Sequence, residues 1–211
     1  MDYRAKALEQ LTINGALSEE DLLYLDLFTK LNELVEQKDT LLIAIDGMCG
    51  SGKSVLGKRI AEVFDGNLFH MDDFYLQAYQ RTEKRYATPG ENADHERFER
   101  EVLIPLMHKD DVQYHTFNHE DFSVNKEYTL IPYKKINIVE GSYKLHKDLQ
   151  KYFDYSIYLT IDSEYQKKRI LNRSNPKVLA MFINKWIPLE MKYFEAYHLE
   201  NIADYCLRIT E

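Results

Sequence analysis

Leu41-Leu-Ile-Ala-Ile45 runs directly into Asp46-Gly-Met-Cys-Gly-Ser-Gly-Lys-Ser54, and this stretch decides the fold. A short apolar run that ends on a polar pair fits a strand buried on both faces. Residues 47–54 then satisfy G-x-x-x-x-G-K-[ST] at every fixed position, between a strand and a helix, the setting that gives the pattern its meaning. Glycine lets the backbone curl so that successive N–H groups converge on phosphate oxygens. The amino end of the following helix, predicted over Lys53–Phe64, adds partial positive charge. The expected nucleotide contacts are Gly47, Met48, Cys49, Gly50, Ser51, Gly52, Lys53, Ser54 and Val55. Lys53 is expected to reach the β- and γ-phosphates of ATP, and the Ser54 hydroxyl to ligate Mg²⁺. Cys49 is read as a bystander, although a thiol at a helix amino terminus can be reactive.

Downstream, strand and helix alternate. Leu68-Phe-His-Met71, Val112-Gln-Tyr-His115, Ile136-Asn-Ile-Val139, Ser156–Ile161 and Tyr205–Ile209 read as strands. Asp94–Met107 reads as a helix, and Tyr128–Pro132 as half of a small hairpin with Phe117–Val124. The alternation predicts an α/β fold: a doubly wound, mostly parallel sheet of the P-loop NTPase type carrying a small β-hairpin. The first forty residues differ. Leucines recur at helical spacing, and Ser18 followed by Glu19, Glu20 and Asp21 is a helix start, so a short helix, a turn at Asn14-Gly15 and a longer helix to about Gln37 are expected. We read residues 1–39 as an N-terminal helical extension and 40–211 as the P-loop domain. The extension offers a packing face for the same chain or, in a homo-oligomer, for a second copy.

Phosphoryl transfer needs a carboxylate for the attacking hydroxyl and another that anchors the metal through water. Asp72-Asp73 follows the second strand, at the sheet edge where ligands collect, and Glu140 follows the strand ending at Val139. Asp72 is assigned the acceptor hydroxyl and Glu140 the metal; Asp73 stays open as a candidate, since adjacent residues diverge and only one of the two is expected to reach the substrate. Arg169 and Arg173 stand four apart on one helix face, where two guanidiniums suit the oxygens of a moving phosphoryl group. Ser174-Asn-Pro176 breaks that helix, as a closing lid requires. Lys53, Asp72, Arg169 and Arg173 are thus the catalytic set. Trp186, Leu189, Tyr193, Phe194 and Tyr197 read as an amphipathic core stripe.

Composition narrows the classes. The 211 residues are 45% hydrophobic and 29% charged, which is ordinary globular composition. No run approaches the roughly 20 apolar residues of a membrane span, and the amino terminus lacks the apolar core of a signal peptide. A net charge of −8 gives no general attraction to nucleic acid. Two distant cysteines read as reduced thiols. The expectation is a cytoplasmic protein without nucleic-acid or membrane partners, acting on a small molecule.

In order and content, Gly47–Ser54, Asp72-Asp-Phe-Tyr75, Asn92-Ala-Asp-His95 with Arg97-Phe98, Tyr114, His119, Val139-Glu-Gly141 and Arg169 resemble the uridine kinase and phosphoribulokinase-like group of P-loop kinases. The resemblance implies that Asp72 acts as base toward a nucleoside hydroxyl, that Tyr75 lies beside it, and that Tyr114 and His119 contact a pyrimidine. It also implies an acid gripping the ribose, with Asp94 the first choice and Glu99 the second. The chain departs from the pattern at the missing proline after His95 and at Asn172, which stands where the group carries an arginine. By resemblance the acceptor is the 5′-hydroxyl of uridine or cytidine. The alternatives are another small acceptor, such as a nucleoside monophosphate, pantothenate or a sugar, or a nucleotide-binding regulator without phosphoryl transfer. Arg81, Lys84 and Arg85 keep the monophosphate open, while the absence of N-K-x-D argues against a GTPase switch.

Overall fold

The computed structural model describes residues 19–118 and 121–211. Helix α1 (Glu19–Gln37) leads into β1 (Leu41–Gly47), whose seven residues are all buried. Successive side chains of a strand point to opposite faces, and here both faces are covered. Leu41, Ile43 and Ile45 join Leu27, Phe28 and Leu31 of α1 and Leu56 and Ile60 of α2 (Lys53–Phe64). Leu42 and Ala44 join the opposite core with Phe69, Phe74 and Phe98. Helix α1 therefore packs into the same core as the sheet, with Phe28 stacked on Phe64 at 5.9 Å. The expected helix start at Ser18, the expected shorter helix before it and the expected turn at Asn14-Gly15 lie outside the described residues.

After α2 come β2 (Asn67–His70) and a helical stretch, α3 (95–107), which passes through a π turn at Glu99–Leu103. Asp94 caps α3 by accepting the Arg97 N–H at 3.1 Å. β3 (Val112–Asn118) and β4 (Ser123–Ile131) form a separate antiparallel pair. Here the expectation needs correcting, since Val112–His115 is not a strand apart from the hairpin but its first arm, paired from Val112↔Ile131 to Asn118↔Ser123. A bulge between His115 and Phe117 is the reason: the extra residue turns Phe117 onto the buried face that Val112 and Tyr114 already occupy.

The chain continues through β5 (Ile136–Glu140), β6 (Tyr155–Ile161), α4 (Ser163–Asn172), α5 (176–197, with a π turn at Phe182–Trp186) and β7 (Tyr205–Ile209). The main sheet has the order β2-β5-β1-β6-β7, with every pairing parallel. β1 is central, and the chain leaves it toward one edge before returning to build the other, which opens a crevice at its carboxyl end. Among the described residues, no helix is long and apolar enough to cross a membrane.

Candidate active site

The crevice is a cavity of about 530 Å³ framed by the loop after β1, the ends of β2 and β5, and α4 and α5. The loop takes its shape from three glycines at positive φ: Gly47 at 139°, Gly50 at 80° and Gly52 at 101°. A Cβ on Gly47 would stand 2.1 Å from the Leu159 carbonyl oxygen, so no larger residue fits there. The Lys53 ammonium donates to the carbonyls of Gly47 at 2.7 Å and Met48 at 3.0 Å, which holds it inside the loop. Gly50, Gly52, Ser54 and Val55 line the cavity, whereas Met48 packs against the core beneath it. Cys49 is gripped at both ends of its backbone: its N–H donates to Glu190 at 2.9 Å, and its carbonyl accepts from Gln166 at 2.8 Å. Burial, with the Glu190 charge second, pushes its thiol well above the ordinary range, which suits a packing residue.

Beneath the loop lies Asp46, fully buried. It accepts the N–H groups of Gly47 (2.7 Å), Tyr143 (3.3 Å) and Leu145 (3.0 Å) and the Tyr193 hydroxyl (2.8 Å). Burial nevertheless raises its carboxyl above the usual range. Asp46 thereby ties the phosphate loop to the segment after β5 and to α5.

Asp72 and Asp73 part company as expected. Asp72 is exposed and lines the cavity. Asp73 turns toward the hairpin, where its carboxylate accepts the Tyr114 hydroxyl at 3.4 Å and its backbone carbonyl accepts from Arg97. Glu140 lines the cavity from the end of β5, with Oε1 2.6 Å from His70 Nδ1. Burial pushes the Glu140 carboxyl up, but the His70 hydrogen bond and the Lys53 and His70 charges outweigh it, and the net shift is down. His70 is raised, first by that same hydrogen bond. Arg169 and Arg173 both line the cavity, and among the described residues neither has a carboxylate partner. Their guanidiniums lie over Tyr165 at 5.5 Å and Phe182 at 5.8 Å. Ser54 and Glu140, hard oxygen donors beside Lys53, fit a magnesium ion.

Several other expected contacts are not brought to the cavity. Tyr75 lines it, but Asp94 is 2% exposed, occupied in capping α3 and lying 3.6 Å from Arg97 Nε. Glu99 instead accepts from Tyr152 at 2.5 Å. Tyr114 is buried against Phe74 and Phe69. His119 lies outside the described residues. Arg85 is bound to Glu96 at 3.0 Å and to two backbone carbonyls, while the Arg81 guanidinium donates to the Leu76 carbonyl at 2.9 Å. Trp186 and Glu190 are among the lining residues that were not anticipated. Trp186, read as core, stands at the cavity with its ring 6.2 Å from that of Tyr75. Glu190 reaches in from α5. Its polar position within an otherwise apolar helix face is the signal that was available.

No protein-family model matches the chain. A uridine kinase of Clostridium tetani is 30% identical over 175 residues, covering 75% of this chain and 82% of that protein. A putative fructose transport system kinase from Silicibacter has a solved structure with a TM-score of 0.66 and 23% identity, covering 85% of this chain and 97% of its own. A possible uridine kinase from Bacillus stearothermophilus superposes with a TM-score of 0.63 at 19% identity, over 86% of this chain and 99% of its own.

Proposed function

The chain belongs to the uridine kinase family of P-loop kinases, and from that premise we propose that it transfers the γ-phosphoryl group of ATP to the 5′-hydroxyl of uridine or cytidine, in the cytoplasm, as a step of pyrimidine salvage. The observation that carries the reading is the placement of Asp72 in one cavity with Lys53, Ser54, Glu140, Arg169 and Arg173. A carboxylate at that point orients the acceptor hydroxyl and takes its proton as the new O–P bond forms. Lys53 and the two arginines spread the charge of the moving phosphoryl group, and the glycine loop holds the phosphates that stay behind. Ser54 and Glu140 would hold magnesium, which supplies further positive charge to the phosphate oxygens. Asp73, whose carboxyl is raised chiefly by burial, positions Tyr114 rather than substrate.

Tyr114 supports a second reading within the same chemistry. Its hydroxyl is engaged by Asp73 and it does not line the cavity, so a sugar without a pyrimidine is the alternative acceptor. A monophosphate acceptor is disfavoured because Arg81, Lys84 and Arg85 stand away from the cavity.

Release of ADP from Mg·ATP, followed across nucleosides, nucleoside monophosphates, pantothenate and simple sugars, tests the reading. Turnover confined to uridine and cytidine is the expected result. Turnover with sugars alone favours the second reading. Binding of ATP with no acceptor-dependent release would sink both.

A further inference from the structure

We propose that Glu190 is the group that recognises the acceptor, receiving hydroxyl donors of a neutral, polyhydroxylated molecule beside the hydroxyl that reacts. This inference rests on the kinase reading. Among the described residues, the carboxylates lining the cavity are Asp72, Glu140 and Glu190. Glu140 is committed to His70 and lies against α2, where a Cβ on Gly57 would come within 3.4 Å of its Cγ. Asp72 faces the reacting hydroxyl. Glu190 remains.

Its position is fixed by two hydrogen bonds from protein donors. Oε1 accepts the Ser142 hydroxyl at 2.7 Å and Oε2 accepts the Cys49 N–H at 2.9 Å. A carboxylate offers about four acceptor sites, so these partners use about half of them. The residue is only 6% exposed and lines the cavity, so further donors must come from the cavity itself. Oxygen lone pairs of a buried carboxylate call for O–H or N–H donors and oppose an acceptor that brings its own phosphate. Asp72, Tyr75 and Glu190 line the same cavity, which brings this acid to the reacting end. Burial first, and then the charges of Asp72 and Glu190, hold the Tyr75 phenol proton on, so both carboxylates act on one ring. That ring meets Trp186 at 6.2 Å, and Trp186 stands four residues before Glu190, so the acid and an aromatic wall face the cavity side by side. Asp94, buried as a helix cap, leaves this role free.

The test compares wild type with Glu190→Gln, using uridine, 2′-deoxyuridine and 3′-deoxyuridine as acceptors and reading KM for acceptor and for ATP separately. The variant is expected to raise KM for uridine about 10- to 100-fold, the range for losing a hydrogen bond to a charged group, with KM for ATP within about twofold. The wild type's discrimination against one deoxy acceptor is expected to collapse in the variant. Equal losses for ATP and uridine, or deoxy discrimination unchanged, would show that Glu190 only braces the Cys49 peptide and would overturn the inference. If Glu190→Gln does not fold, Glu190→Asp keeps the charge and shortens its reach, and the same split between the two KM values decides. Wild type that turns over no acceptor would remove the kinase reading itself, an outcome separable from failure at Glu190.

Discussion

His70 Nδ1 lies 2.6 Å from Glu140 Oε1, and the two residues are direct partners across the parallel pair β2–β5. Strand register thus builds the contact that holds a cavity carboxylate in place. His70 is raised above its ordinary 6.5, so its contribution is fully present below that pH and is lost as pH rises through the raised value. Glu140 is lowered beneath its ordinary 4.5, so its contribution is present above that pH and is lost as pH falls through the lowered value. The pair therefore stabilises most between 4.5 and 6.5. His70→Gln is expected to lower the thermal midpoint most in that window, with the gap to wild type narrowing in alkaline buffer. Differential scanning fluorimetry across pH reads this directly, and a gap independent of pH would refute it.

Gly47→Ala introduces both a steric clash and a strained φ. The added carbon would meet the Leu159 carbonyl oxygen at 2.1 Å while φ stands at 139°. A loss of at least ~3 kcal/mol is expected, seen in chemical denaturation as a lowered midpoint or as failure to fold.

Tyr193→Phe removes one of the four donors that satisfy buried Asp46, and leaves the packing against Tyr143 and Phe194 in place. The expected cost is about 1–3 kcal/mol in urea unfolding, with unchanged slope.

Lys53→Ala takes the ammonium out of the loop. A fall in kcat of about 10²–10³ is expected in steady-state kinetics, the scale for losing one preorganised charge donor in a transition state. A fall below tenfold would contradict the place given to Lys53.

Much of the fold was legible because local rules governed it. Leu41–Ile45 is buried on both faces and shows no alternation, and the glycines of the loop adopt the positive φ their spacing foretold. Helix α2 spans Lys53–Phe64 as the pattern predicts. The hairpin was misjudged because a bulge, which composition does not announce, carries Phe117 onto the inner face. At the site, Asp72 and the two arginines follow from motif and helix spacing, since each sits on an element that itself opens onto the crevice. Asp94 belongs to a helix start, and its role there is a local cap that the substrate reading overrode. Glu190 and Trp186 depend on how α5 docks over the loop, with Glu190 meeting Cys49 across 141 residues of sequence, and no short-range pattern encodes that.

The role proposed for Asp72 is to serve the acceptor hydroxyl rather than the nucleotide. Asp72→Asn, assayed for uridine-dependent ADP release beside equilibrium binding of ATP, tests it most directly. Asp72→Asn is expected to lower kcat about 10²–10⁴-fold while the ATP dissociation constant stays within about twofold. Turnover within a few-fold of wild type, or a parallel loss of ATP binding, would contradict it.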